Sequence, residues 1–342
     1  MRIARSCTLI ALAAIALGGL PGTADAAREE SLAATLEGFR KAAAAGNVEA
    51  LVHLGVMNEY GMGVPRDEAA AVRWYKLAAD KGELQAQFRL GYMCDHGIGV
   101  KADKAAALKW YLRAAERGLP QAMYSVGHMY DAGIGTPENN PKAVHWYEKA
   151  AEQNHADAQV ALGLMLDAGE GVKEDDKMAV TWFQRAAEQE HSGGEVCLGV
   201  MHYRGAGVPR NPSKAASWFR KAANRGDAQA LFNLAVLYAN GEGVRREDGE
   251  ALRLLERSAR EGGTEALVHL GDMFAQGRGV KKDPVAAAAW YHVALRAGRP
   301  EARKLWERTA SGLSVNQREA ARKQAEQWLR QRSEGNRAAS LR

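Results

Sequence analysis

The chain has 342 residues, of which 46 are Lys or Arg and 41 are Asp or Glu, so its formal net charge at pH 7 is +5. The excess is concentrated at the C-terminus, where residues 296–342 contain 12 basic and 5 acidic side chains. A nucleic-acid-binding protein normally carries a basic face along its binding elements. This distribution therefore argues against a nucleic-acid partner.

Residues 1–26 have the organisation of a secretory signal peptide. Arg2 and Arg5 precede an apolar stretch from Cys7 to Leu20, and Ala24-Asp25-Ala26 supplies the small residues of a cleavage site. The apolar stretch is too short to span a membrane, and no other segment approaches that length. We expect cleavage after Ala26 and a periplasmic or secreted mature chain without a transmembrane span.

A Gly-x-Gly-Val pattern follows at intervals of 36 residues, and its first glycines are Gly61, Gly97, Gly133, Gly169, Gly205, Gly241 and Gly277. Apolar residues on both sides recur at steps of three and four, which is the spacing of a helix face. A phosphate-binding loop needs one site facing one ligand, so seven even copies argue against one. The pattern predicts seven repeats over residues 47–299, each a pair of antiparallel helices joined at the glycines.

The second half of each repeat carries tryptophan at one position in six of the seven copies, followed by Tyr or Phe. Alanine lies three residues before this position in every copy, so we expect the tryptophans, such as Trp146, to fill the space between helices. A glycine in the first half, such as Gly55, predicts that a neighbouring backbone passes close to it. Residues suited to cap the second helix precede it at Asp67, Asp103, Asn139, Asp175, Asn211, Glu247 and Asp283.

Two copies depart from the pattern. His191-Ser192-Gly193-Gly194 opens a first helix with two glycines, which predicts a locally weak segment. Leu254-Leu255 replaces the tryptophan and the following aromatic residue in the sixth copy, which predicts a thinner contact with the neighbouring helices.

The repeats are predicted to lie between capping segments. We expect an N-terminal capping helix within residues 27–46, C-terminal capping helices within 300–332 and a disordered tail over 333–342. Ser314 and Gln317 have the spacing of a capping box, and the helix after them carries one apolar stripe formed by Ala321, Ala325, Trp328 and Leu329. The basic residues of this helix lie largely off the stripe, which favours docking on the last repeat over membrane binding.

The repeated unit is A-x-x-x-L-G-x-M-x-x-x-G-x-G-V-x-x-D-x-x-x-A-x-x-W-Y-x-x-A-A-x-x-G. This unit resembles the Sel1-like repeat family, a branch of the tetratricopeptide-type helical repeats. The resemblance implies an all-α fold, a right-handed α-solenoid superhelix of antiparallel helix pairs. It also implies a non-enzymatic scaffold or adaptor that binds a protein partner. A cell-wall or polysaccharide-binding component of an envelope assembly remains the alternative.

Nothing in the sequence indicates a cofactor, a metal site or a catalytic motif. The mature chain retains Cys94 and Cys197, about three repeats apart, so no disulfide is expected. The candidate partner-binding residues are the variable positions of the first helices, which conventionally line the concave face of such solenoids. They are His53, Arg89, Tyr92, His128 and an acidic row of Glu59, Asp95, Asp131 and Asp167 that gives way to Tyr203.

The acidic row has two interpretations. Its four carboxylates are either solvated side chains without a partner, or one half of a groove that attracts a basic segment of a protein while Tyr203 packs its apolar continuation. Carboxylates one repeat apart cannot share a metal ion, because their oxygens would lie too far apart to coordinate it.

Overall fold

The computed structural model describes residues 34–340, so the predicted signal peptide lies outside the described residues. Every element within that range is a helix, and no strand occurs there. Helix α1 covers residues 34–44. The remaining helices are α2 (Val48–Tyr60), α3 (Glu68–Asp80), α4 (Leu84–His96), α5 (Lys104–Glu116), α6 (Pro120–Asp131), α7 (Asn140–Glu152), α8 (Ala156–Ala168), α9 (Asp176–Glu188), α10 (Ser192–Arg204), α11 (Pro212–Asn224), α12 (Ala228–Asn240), α13 (Asp248–Arg260), α14 (Glu265–Gln276), α15 (Pro284–Arg296), α16 (Ala302–Ser311) and α17 (Val315–Ser340).

The helices form two units, one ending at Gln153 and the other beginning at Asn154. In the first unit α2, α4 and α6 pair with α3, α5 and α7, and the second helices α3 and α5 pack on the first helix of the next repeat. The second unit repeats this arrangement from α8 to α15, and α16 and α17 both pack on α15. Each unit is thus a stack of antiparallel helix pairs, which confirms the all-α helical-repeat fold.

The second helices begin at the predicted caps. Six of the seven capping side chains accept a hydrogen bond from a backbone N–H at the start of the helix, at 2.8–3.0 Å, and they are Asp67, Asp103, Asn139, Asp175, Asn211 and Asp283. The seventh, Glu247, makes no such bond. Because these bonds satisfy N–H groups that have no partner within the helix, they determine where each second helix begins.

The two glycines of each turn have different roles. The first, such as Gly61 with a φ of 70°, ends the first helix in the left-handed conformation. The second packs against the preceding repeat: a Cβ atom on Gly135 would lie 2.5 Å from the carbonyl group of Lys104, at the start of α5. The turn therefore also maintains the stacking of successive repeats.

The left-handed residue that ends a second helix is preserved even where glycine is absent. Asn154 and Glu190 adopt φ values of 61° and 59° at positions that glycine occupies in the other repeats. Asn tolerates this conformation, whereas a longer side chain such as Glu adopts it at a cost. The repeat geometry therefore outweighs the local preference of Glu190.

The most deeply buried large residue between the paired helices is the aromatic residue after the tryptophan, although Trp146 and Trp182 are also buried, as predicted. Tyr147 is 1% exposed and Trp146 is 9% exposed. The tryptophan lies nearer the surface, and Lys149 covers its ring at 5.0 Å from the centroid. Trp110, Trp182 and Trp218 are covered in the same way by Arg113, Arg185 and Lys221.

The glycine at this position in six of the seven first helices packs against the buried ring. The prediction that a neighbouring backbone passes close to it is therefore wrong. A Cβ atom on Gly55 would lie 2.5 Å from Tyr75, and one on Gly127 would lie 2.6 Å from Tyr147. Glycine is needed because a methyl group would occupy the volume of the ring.

The segment from His191 to Gly194 makes more stabilising contacts than its two glycines suggest. The Nδ1 atom of His191 accepts a hydrogen bond from the N–H of Gly194, and its Nε2 lies 3.1 Å from an Asp157 oxygen. A Cβ atom on Gly194 would lie 2.7 Å from the Cβ of Ala186, so this glycine permits close packing of α10 on α9. The buried Glu195 then pairs with Arg225.

The two C-terminal helices, α16 and α17, pack on the second helix of the last repeat. The N–H of Ser314 donates to the side chain of Gln317 at 2.9 Å, and the N–H of Gln317 donates to the hydroxyl of Ser314 at 3.3 Å, which is a capping box. Ala321 and Ala325 are buried, and the ring of Trp328 packs edge-on against Trp290 at 5.3 Å. The predicted stripe therefore faces the last repeat.

Helix α17 continues to Ser340, beyond the residue at which the sequence predicts the chain to become disordered. Residues 333–340 contain no proline and a single glycine, Gly335. One glycine costs a helix about 1 kcal/mol but does not end it.

We expect Gly271→Ala to destabilise the protein by about 1–3 kcal/mol, because its Cβ atom would lie 2.5 Å from the Cδ1 atom of the buried Tyr291 ring. Gly249, near the start of α13, is the matched control, since a Cβ atom there meets nothing within 4 Å. Gly249→Ala should be neutral or stabilise by up to about 1 kcal/mol. Urea unfolding followed by circular dichroism measures both, and equal effects would contradict the packing argument.

Candidate functional site

The variable residues of the repeats lie on one side of the first helices. We call this side the first-helix face and define it by the positions equivalent to 53, 56 and 59 in each repeat, described separately in each unit. At its N-terminal end His53 is half-buried, because its ring stacks on Phe39 of α1 at 4.7 Å. In the next two repeats Tyr92 and His128 are exposed, and the Tyr92 ring stacks on His96 at 4.1 Å.

Glu59 is a buried residue and not a solvated one. It is 9% exposed, its Oε2 accepts a hydrogen bond from the Tyr75 hydroxyl at 2.6 Å, and its Oε1 lies 3.6 Å from Arg89. Burial, followed by the hydrogen bond and negative charge of Glu59, raises the pKa of Tyr75 far above its usual value. Arg89 is therefore already engaged in an ion pair with Glu59.

Asp95 and Asp131 also have partners within the first unit. The Lys104 ammonium donates to a carboxylate oxygen of Asp95 at 2.7 Å, and the Tyr147 hydroxyl donates to Asp131 at 3.2 Å. Burial raises the pKa of Tyr147 above its usual range, and the nearby Asp131 charge adds to the shift. These acids contribute to the junction between the paired helices.

In the second unit, Asp167 forms its ion pair with Arg204 at 3.0 Å. The residue 16 positions later is Phe183, which has no hydroxyl to donate. The predicted acidic row is therefore four carboxylates with partners inside the chain. A basic segment would have to displace Arg89, Lys104 and Arg204, so the geometry does not favour the groove that the charge pattern suggested.

Tyr203 is half-buried. The Arg210 guanidinium lies 5.5 Å from the ring centroid of Tyr203 and pairs with Glu242 at 3.1 Å. The apolar surface that Tyr203 was predicted to offer beyond the acidic row is therefore partly covered by the charged side chain of Arg210.

The hydrogen bond between an acid and a tyrosine in the first and third repeats was not predicted, although the sequence contains a signal for it. An acid precedes a tyrosine by 16 residues in Glu59–Tyr75, Asp95–Tyr111 and Asp131–Tyr147. In the seventh repeat that position is Ala275, and the hydroxyl of Tyr291 instead donates to Asp272, one turn earlier, at 2.7 Å. The tyrosine hydroxyl thus donates to a carboxylate on the first helix, whether that acid lies at the position of Glu59 or one turn earlier, as Asp272 does.

The two cysteines are free thiols, one buried and one half-buried. Burial raises the pKa of Cys197 to about 12, so its thiol stays protonated at neutral pH. Within residues 34–340 no three metal-ligating side chains come together. In the same range, no helix combines the length and the apolar character needed to cross a bilayer.

Comparison with known proteins identifies the repeats. The model of the Sel1 repeat matches seven segments, at residues 48–83, 84–119, 120–155, 156–191, 198–227, 228–263 and 264–298. The fifth match omits residues 192–197, where the two glycines and the buried Glu195 depart from the repeat.

Solved structures of repeat proteins are similar over most of the chain. A Sel1 repeat protein from Oxalobacter formigenes is 31% identical, with 82% of each chain covered and a TM-score of 0.69. The protective antigen c5321, present in uropathogenic Escherichia coli strains and displaying an SLR fold, is 26% identical, with 89% of each chain covered and a TM-score of 0.50. The chain has no significant match among curated proteins.

We expect Glu59→Ala to destabilise the protein by about 1–3 kcal/mol, because it leaves the buried Tyr75 hydroxyl without its acceptor. Asp167→Ala, at the equivalent position opposite Phe183, removes only a partly exposed ion pair and should cost no more than about 1 kcal/mol. Thermal and urea unfolding compare the two variants.

The tyrosine provides the internal control for this comparison. In the Glu59→Ala background, Tyr75→Phe removes the orphaned hydroxyl and should recover part of the lost stability. If the second change were instead fully additive with the first, the hydrogen bond would contribute nothing to the stability of the helix pair.

Proposed function

Because the chain belongs to the Sel1 repeat family, we propose that it is an exported, non-enzymatic scaffold that binds a protein partner on its first-helix face. Proteins of this family generally serve as scaffolds for protein–protein interaction, and their repeat fold is non-catalytic. The first helices line the concave surface of helical-repeat proteins, which is the usual place for a partner.

The observation that carries the proposal is the exposure of large apolar side chains on this face. Tyr92 in the first unit is 37% exposed and Leu164 in the second is 49% exposed, and both occupy the variable middle position of their helices. An exposed apolar side chain surrounded by polar residues suits a protein contact, because docking removes its surface from water.

The ion pairs support the same conclusion. Glu59, Asp95 and Asp167 have partners within the chain. The free energy of binding a partner on this face therefore comes mainly from apolar and aromatic side chains. A partner that contributes apolar anchors therefore suits the face better than a strongly basic segment does.

Cys197 does not suit a nucleophilic role. The raised pKa of Cys197 opposes formation of a thiolate, the form in which cysteine acts as a nucleophile. Enzymatic activity is therefore not part of the proposal.

The proposal predicts that Leu164→Glu weakens partner binding by roughly tenfold or more, since a charge would enter an apolar contact. Met178→Glu is the matched control: Met178 belongs to the same repeat and is similarly exposed at 46%, but it lies at the start of the second helix. A photo-cross-linking residue placed at 164 or at 178 identifies the partner in the cell envelope. Titration of that purified partner then measures the affinity of both variants.

A partner that cross-links from position 178, or an affinity that falls only in Met178→Glu, would place binding on the second helices. Retention of the mature chain on isolated peptidoglycan or polysaccharide, with no cross-linked protein from position 164, would favour the carbohydrate-binding alternative. Circular dichroism confirms that both variants are folded.

Export has its own test. We expect the protein in the periplasmic fraction to begin at Ala27, because the small residues Ala24 and Ala26 flank the predicted cleavage site. Leu12→Arg interrupts the apolar stretch and should leave a full-length chain in the cytoplasm. N-terminal sequencing of both fractions decides the matter, and a full-length chain in the periplasm would contradict the predicted cleavage.

A further inference from the structure

The sixth repeat lacks the buried aromatic ring that all the other repeats contain. In the first repeat Gly55, Glu59 and Tyr75 form one contact, in which the ring lies on the glycine and the hydroxyl reaches the acid. The equivalent residues of the sixth repeat are Ala235, Ala239 and Leu255. Leucine is shorter than tyrosine, and one added methyl at Ala235 does not replace the lost ring and its hydroxyl.

A cavity of about 190 Å³ lies at this place in the second unit. Its apolar wall includes Ala235, Ala239, Leu255 and Met273. An apolar cavity of about 150 Å³ is large enough to hold benzene, so this one can hold an aromatic ring. The cavity therefore has the size of the group that the sixth repeat is missing.

The cavity opens on the first-helix face. Val236 and Ala239 of α12 and His269 and Asp272 of α14 belong to its lining, and all four occupy positions that define that face. His269 is exposed, and the other three are half-buried. A side chain of a partner bound there can enter the cavity without any helix moving.

Arg278 belongs to the polar part of the lining, and one of its hydrogen-bond donors has no partner. Arg278 is held by its Nη2 atom, which donates to the carbonyl of Ala239 at 2.7 Å and to Asp248 at 2.8 Å. Its Nε atom is buried and has no hydrogen-bond partner. A buried donor without an acceptor is costly, so an acceptor delivered by a ligand would be favoured.

Asp272 on the opposite side is already engaged, because the Tyr291 hydroxyl donates to it at 2.7 Å. The cavity thus has an apolar wall that can contact an aromatic ring, and it has one hydrogen-bond donor, on Arg278, that has no acceptor. A phenol matches both features, since its ring is apolar and its oxygen accepts a hydrogen bond.

We propose that this cavity receives a tyrosine side chain of the protein partner, whose ring takes the place of the missing internal ring and whose hydroxyl oxygen accepts from Arg278. The inference rests on the proposed function, because it assigns an anchor to the partner bound at the first-helix face. A partner tyrosine in a desolvated pocket would be a dominant contributor to affinity.

The test uses p-cresol, the side-chain analogue of tyrosine, with the folded mature chain labelled at its methionine methyl groups for nuclear magnetic resonance. We expect saturable shifts of the Met273 methyl with a dissociation constant on the order of millimolar, as befits a ligand of this size. The Met201 methyl should not shift, because it occupies the equivalent position beside the fourth repeat, which has its ring at Phe183. Toluene, which lacks the oxygen, should bind roughly tenfold more weakly.

The double variant Leu255→Tyr with Ala235→Gly restores the ring and the glycine of the other repeats, so it should fold and abolish the Met273 shift. Ala239→Met provides a second variant, which fills the cavity from a half-buried position of the first helix and should also abolish binding. Arg278→Met should remove the preference for p-cresol over toluene.

Absence of a Met273 shift in the unaltered chain, or persistence of the shift in both filled variants, would overturn the inference. Equal affinity for p-cresol and toluene would show that the cavity takes rings without regard to the hydroxyl, and it would overturn the assignment to tyrosine. None of these outcomes affects the cross-linking test at Leu164, so failure of the anchor can be distinguished from failure of the scaffold.

Discussion

The packing of a buried aromatic ring on a glycine is the contact on which six of the seven repeats depend. Tyr75 lies on Gly55 and Tyr147 lies on Gly127, with no room for a methyl group between ring and backbone. Because the ring fills the space between two helices, its size and the small size of its partner must change together. The sixth repeat shows this coupling, since leucine at 255 occurs with alanine at 235. Leucine and alanine together fill less volume than an aromatic ring and glycine, and the cavity lies beside them.

The same ring also determines which carboxylates of the first helix form hydrogen bonds within the repeat. A tyrosine packed on the glycine extends its hydroxyl to the first helix of its own repeat, where Glu59 or Asp131 accepts the hydrogen bond. The buried carboxylate of Glu59 is stabilised by its hydrogen bond and by the neighbouring Arg89 cation. The acids thus support the helix pair, while apolar residues such as Leu164 remain exposed.

Contacts between repeats explain why the period never varies. The second glycine of a turn lies against the backbone at the start of the preceding second helix, as Gly135 does against Lys104. An inserted residue would move that turn away from its neighbour, so the spacing of 36 residues is maintained in every copy. The same constraint places Glu190 in a left-handed conformation that it adopts only at a cost.

The sequence by itself determined the period, the helix caps, the Ser314–Gln317 capping box and the repeat family, because each of these is encoded by residues that lie close together in the chain or recur at a constant interval. Only the tertiary structure decided which of two adjacent aromatic residues is the more deeply buried. Trp146 and Tyr147 both suit a helix face, and their burial depends on the position of the partner helix. It also decided that the acids pair internally, since charge pattern alone does not reveal a tyrosine one helix away. The cavity beside Leu255 likewise required the structure, because empty volume depends on side chains from three helices and not on any local run of residues.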